Sequence, residues 1–133
     1  MDSEKENWAG YLKRFVNAYN TIPELSPLLK HVAPLIFQYS ISDKLEWNFW
    51  LFFKSERVIL GMGKTNEKSI PILFHKTDYE TLRRVLSGEI DPIAATMEGK
   101  YKVIGDMNKL TACTPLLPLN EKAHKLSQNI QDV

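Results

Sequence analysis

One cysteine, Cys113, in 133 residues excludes an internal disulfide and any multi-cysteine zinc site, and suits a reducing cytoplasm. Charge of one sign is equally absent. The formal net charge is +1, with acidic and basic residues spread along the chain, so there is no electrostatic footprint for nucleic acid or for an anionic membrane. Apolar runs such as Phe49-Trp50-Leu51-Phe52-Phe53 fall far short of the roughly 20 residues needed to cross a bilayer. The start, Met1-Asp2-Ser3-Glu4-Lys5-Glu6, is polar where a secretory signal is basic and then apolar, and the terminal Gln131-Asp132-Val133 is not a peroxisomal address. A cytoplasmic protein with at most transient membrane contact is expected. There is no internal repeat, and the seven prolines stand singly at element boundaries. A chain of this length sustains one core and not two.

What is present is a change of hydrophobic period. Ser3 with Glu6 fits a capping box, and Trp8, Leu12, Phe15, Val16 and Tyr19 follow at helical spacing. Ser26-Pro27 opens a second short helix that Pro34 ends. These first 33 residues form a helical segment ahead of a main body, residues 34–133, within one globular domain. Alternation then predicts strands over Leu35 to Ile41, Leu45 to Phe53, Arg57 to Met62 and Ser69 to His75, joined by short polar turns and pairing antiparallel. Trp47, Phe49 and Leu51 share one face of the second strand. Trp50, Phe52 and Leu73 fall on the other, where the Trp8 to Tyr19 helix is the expected cover and another chain the alternative.

Helical spacing returns after Thr77 or Asp78, with Tyr79, Leu82, Val85 and Leu86 facing the core up to Gly88. Asp91-Pro92 starts another helix, Lys100 to Asp106 is a fifth strand, and Pro115 and Pro118 separate helices over Met107 to Thr114 and Glu121 to Ile130.

Several apparent motifs carry no chemistry. Gly61-Met62-Gly63-Lys64-Thr65 ends like a phosphate loop, but Val58 stands where its first glycine belongs and a strand follows, so it is a turn. His31, His75 and His124 form no metal-ligand pair and read as solvated or packed side chains. Cys113 reads as a buried structural thiol, and no general acid and base can be nominated. No catalytic residue, metal or cofactor is expected.

The run Ser87-Gly88-Glu89-Ile90-Asp91-Pro92-Ile93-Ala94-Ala95-Thr96-Met97-Glu98-Gly99-Lys100-Tyr101-Lys102-Val103-Ile104-Gly105-Asp106 resembles the signature of the sterol carrier protein type-two family. That pattern is Gly-x-x-Asp-Pro, a small residue, Met-x-Gly-Lys, a strand and Gly-Asp, and its spacing is kept without a gap. Thr96 stands where the family often has phenylalanine. The resemblance covers roughly Pro34 to Leu119. It implies an α+β fold in which a five-stranded, mostly antiparallel sheet carries helices on one face and encloses an apolar tunnel for a fatty acyl, isoprenoid or sterol-like lipid.

On that footing, Trp47, Phe49 and Leu51 are the expected sheet wall of the lipid site, Leu82, Leu86 and Met97 the helical wall, and Leu110, Leu116 and Leu117 a mobile lid. A void large enough for a ligand needs an occupant, because empty volume is destabilising. The expected function is a lipid carrier or presenter, as monomer or homodimer, with a hydrophobic small molecule as its partner. The alternative is an interaction or dimerisation module beside a lipid-modifying enzyme. An enzyme acting on an acyl thioester has no supporting residues.

Overall fold

The computed structural model describes residues 2–129. Helix α1 (Asp2–Tyr19) and helix α2 (Leu25–Val32) lead into strand β1 (Leu35–Ile41). A single 3₁₀ turn, Leu45–Trp47, precedes β2 (Phe49–Phe53), followed by β3 (Val58–Met62) and β4 (Ile72–Thr77). Helices α3 (Tyr79–Leu86) and α4 (Pro92–Met97), strand β5 (Tyr101–Ile104), helix α5 (Met107–Ala112), a 3₁₀ turn and helix α6 (Leu117–Asn129) complete the chain.

Three aspartates set the helix starts in the second half. Asp78 accepts from the Thr81 amide, Asp91 from the Ile93 amide and Asp106 from the Asn108 amide, each satisfying a donor that the first turn leaves free. At the N-terminus the expected capping box does not form. The helix already includes Asp2, so Ser3 lies inside it. Pro118 does not break the last helix either: it sits in the first turn of α6, where a missing amide hydrogen costs nothing. The expected end of that helix, Ile130, lies outside the described residues, as do Met1 and the terminal Gln131-Asp132-Val133.

The strand order is β3-β2-β1-β4-β5. Three of the four pairings are antiparallel, but β1 and β4 run parallel, so the sheet is mixed. The expectation that each strand pairs with the next fails between β3 and β4, which two strands separate. Residues 63–71 must therefore cross the sheet. They do so on its outer face, and Gln38 holds them there. This buried side chain donates from Nε2 to the Gly63 carbonyl (3.0 Å) and accepts the Thr65 amide at Oε1 (2.8 Å). The predicted start of the fourth strand at Ser69 belongs to this crossing segment, which is why β4 begins only at Ile72.

Register assigns the faces. Phe49, Leu51 and Phe53 of β2 pair with Tyr39, Phe37 and Leu35, and Leu73 and His75 of β4 lie beside Phe37 and Tyr39. This inner face carries the helices. Trp8 of α1 meets Phe49 edge-on with ring centroids 5.8 Å apart, and its Nε1 donates to the Trp47 carbonyl. At the other end of α1, Asn20 donates to the Val58 carbonyl and accepts the Val58 amide, pinning the chain to β3. Residues from both the N-terminal segment and the main body thus share one apolar cluster, Trp8, Phe15, Leu29, Phe49, Leu82 and Leu116 among them.

Two expectations about the faces are corrected. Helix α1 covers the inner face, so it does not shield Trp50 and Phe52, which stay partly accessible on the outer one. Leu73 is not with them: the parallel pairing shifts β4 so that Leu73 points inward, fully buried. Among the described residues no helix is long and apolar enough to cross a membrane.

Candidate functional site

Between the inner face and the helices lies a cavity of about 280 Å³. Its floor is Phe37 and Tyr39 of β1, Leu51 and Phe53 of β2, His75 of β4, and Tyr101 and Val103 of β5. Phe15 and Tyr19 of α1, Val85 and Leu86 of α3, and Leu110, Cys113, Leu116 and Leu117 of the C-terminal helices close it from above. The lining residues that are also exposed are Ile93 and Thr96 of α4, Thr111 of α5 and Thr114, so the cavity reaches the surface beside them. On the same two helices Met97 is 84% exposed and Met107 is also accessible.

Local sequence explains why the helices stop short of the floor here. Asp91-Pro92 and Gly99 restrict α4 to six residues, and Asp106 starts another six-residue helix, α5. Helices this short are held by their caps and neighbours more than by packing of their own. Gly88 sets the preceding corner. Its φ is +85°, and a Cβ there would run into the Cβ of Glu121 on α6, so only glycine lets α6 come this close.

Polar groups sit within this apolar wall. The Nδ1 of His75 lies 2.7 Å from the Tyr101 hydroxyl, and the ring packs against Phe37 and Tyr39 with centroids 4.3 and 4.7 Å away. Burial drives the His75 pKa down to about 3, so the imidazole is neutral at physiological pH. Burial likewise raises Tyr19, Tyr39 and Tyr101, which remain phenols, and pushes the Cys113 thiol up to about 11. A thiol so held is a poor nucleophile. Among the described residues, no group of three or more His, Cys, Asp or Glu side chains could hold a metal.

Of the nine residues expected to form the lipid site, the structure brings Leu51, Leu86, Leu110, Leu116 and Leu117 to the cavity. The other four lie elsewhere. Trp47 falls in the 3₁₀ turn and so never joins the strand alternation. It packs against Trp8 and Tyr79 in a separate surface cleft. Phe49 is sealed between Trp8 and the stacked ring of Tyr39. Leu82 is wholly buried in the solid part of the core, and Met97 is exposed on α4. Sequence reasoning missed Phe37, Tyr39 and Tyr101, although all three sit on the inward-facing side of predicted strands. It also missed Tyr19 and His75. Tyr19 belonged to a stripe assigned to the wrong face, and no local signal marks a histidine as a cavity wall.

The sequence matches the SCP-2 sterol transfer family over residues 13–118, which is most of the chain, and the protein belongs to that family. The fold agrees with solved structures. "UbiJ-SCP2 Ubiquinone synthesis protein" superposes with a TM-score of 0.68 at 14% identity, covering 90% of this chain and 97% of that one. The sterol carrier protein domain 2 of Helicoverpa armigera gives 0.64 at 17% identity, with coverage of 93% and 91%. Sterol carrier protein 2 from Yarrowia lipolytica in its apo form gives 0.56 at 18% identity, with 89% of each chain covered. No curated protein matches the sequence. The family defines a lipid-binding or lipid-transfer domain, and such domains are generally non-catalytic carriers.

Proposed function

We propose that this chain carries or presents an apolar lipid-like molecule, fatty acyl, isoprenoid or sterol-like, held in the cavity between sheet and helices. The observation that supports it is an apolar cavity of about 280 Å³ in a domain this small. Ligand pockets run from about 300 Å³ upward, so the space suits one chain or a compact ring system. Left rigid and empty at ~24 cal/mol per Å³, it would cost on the order of 7 kcal/mol, much of a domain's net stability. Water entering the mouth lowers that figure without changing its sign. The mouth between α4 and α5 is the entry of a tunnel, with Leu110, Leu116 and Leu117 as its lid. Ile93 at the rim, with exposed Met97 and Met107 on the same two helices, makes a transient contact with the donor or acceptor membrane. The protein works in the cytoplasm, without catalysis or cofactor.

Native mass spectrometry of the purified protein, followed by solvent extraction, tests the reading. Co-purifying lipid in a one-to-one complex is expected. A protein that is empty, and that takes up no acyl chain, isoprenoid or sterol when these are supplied, would end it.

One observation favours the second reading, a non-catalytic interaction module beside a lipid-modifying enzyme. The outer sheet face leaves Phe74 and Ile104 about two-fifths exposed, with Trp50 and Phe52 alongside. The fold shared with a ubiquinone synthesis protein is compatible with such a role. Sedimentation separates the two: an empty, stable dimer favours the module.

A further inference from the structure

The Nε2 of His75 is buried and has no hydrogen-bond partner, the one such side-chain atom among the described residues. An orphan of this kind is unusual, because leaving a buried polar atom unpaired costs on the order of 1–3 kcal/mol. The Tyr101 hydroxyl accounts for Nδ1, but nothing among the ring neighbours Phe37, Tyr39 and Tyr101 answers Nε2. The ring is also fixed in orientation by the Nδ1 contact to Tyr101, and it forms part of the cavity floor.

We infer that His75 Nε2 hydrogen-bonds a neutral oxygen, hydroxyl or carbonyl, on the lipid held in this cavity. The inference rests on the carrier reading and narrows its cargo. No Lys, Arg, Asp or Glu is among the cavity-lining residues. A carboxylate or phosphate brought to His75 would be a buried charge without a counter-ion, which is far more costly than an unpaired neutral group. Protonating His75 to supply the countercharge would bury two ions, against the desolvation that already lowers its pKa. The cargo therefore brings an uncharged polar group to the floor of the cavity, and any ionised group stays at the mouth.

The tautomer divides the two kinds of oxygen. If the Tyr101 hydroxyl donates to Nδ1, Nε2 carries the proton and serves either a carbonyl or a hydroxyl. If Nδ1 donates to the Tyr101 oxygen, Nε2 accepts and only a hydroxyl fits.

The test compares lauryl alcohol, the methyl ketone of equal length, dodecane and laurate, each displacing a fluorescent fatty amine from the full chain at neutral pH. His75→Phe should weaken the alcohol about tenfold more than dodecane, the effect of one lost hydrogen bond. Ring-nitrogen resonances of His75 in the wild type should shift with alcohol and stay in place with dodecane. This measurement also decides the matter if His75→Phe does not fold. Equal losses for alcohol and alkane, an unmoved resonance, or laurate weakened as much as the alcohol would each overturn the inference while leaving the carrier reading intact. Failure of all four probes to bind the wild type would sink both.

Discussion

Acidification should destabilise this protein through His75 before its carboxylates begin to titrate. The imidazole takes up a proton near pH 6.5 when the chain is unfolded, but only near 3 in the folded state, because burial withholds solvent from the cation. A base whose folded pKa is depressed contributes stability that is intact above its unfolded value and is lost as pH falls toward the folded one. The slope within that window is about 1.4 kcal/mol per pH unit. Between about pH 7.5 and about pH 5, His75 alone should therefore remove roughly 2 kcal/mol. His124, also depressed by burial, acts in the same direction but is only partly enclosed. Urea unfolding of wild type and His75→Phe at both pH values isolates what His75 contributes. The variant starts lower, because Tyr101 loses its partner, yet its pH slope should be shallower by that amount. Parallel slopes would refute the reasoning and place His75 in contact with water.

Gln38→Leu leaves the Thr65 amide and the Gly63 carbonyl without their partner, so it should cost about 1–3 kcal/mol in chemical denaturation. Amide exchange should accelerate in residues 63–71 while β1 stays protected. Gly88→Ala should lower stability by more than ~1 kcal/mol, from a positive φ and a collision with Glu121, and the midpoint of thermal unfolding reads it directly. Cys113, buried and with its pKa raised to about 11, should react slowly with a water-soluble disulfide reagent at neutral pH. Added lipid should slow it further if the cavity is the binding site. Leu86→Ala should cost about 2–5 kcal/mol and enlarge the cavity, and the lost stability should partly return on adding a bulkier ligand.

The segments most legible in the sequence were those whose geometry is fixed by neighbours along the chain. Asp78, Asp91 and Asp106 cap the helices they precede, because a capping carboxylate needs only an amide two or three residues away. Tyr101 and Val103 face inward with Lys102 outward, as alternation in β5 requires. Trp47 shows where that logic stops. Its hydrophobic period continues that of β2, but the chain turns in a 3₁₀ coil there, so the residue leaves the sheet.

Sequence by itself determined the family, the five strands and the approximate place of the six helices, since period, caps and the run from Gly88 to Asp106 are local properties. Tertiary structure alone decided that β4 lies parallel to β1, that α1 covers the face bearing Phe49, and that Tyr19, Tyr39, His75 and Cys113 line one cavity. Alternation tells which side chains share a face. It carries no information on which element will cover that face, or where two layers fail to meet, because both depend on contacts between residues far apart in the chain.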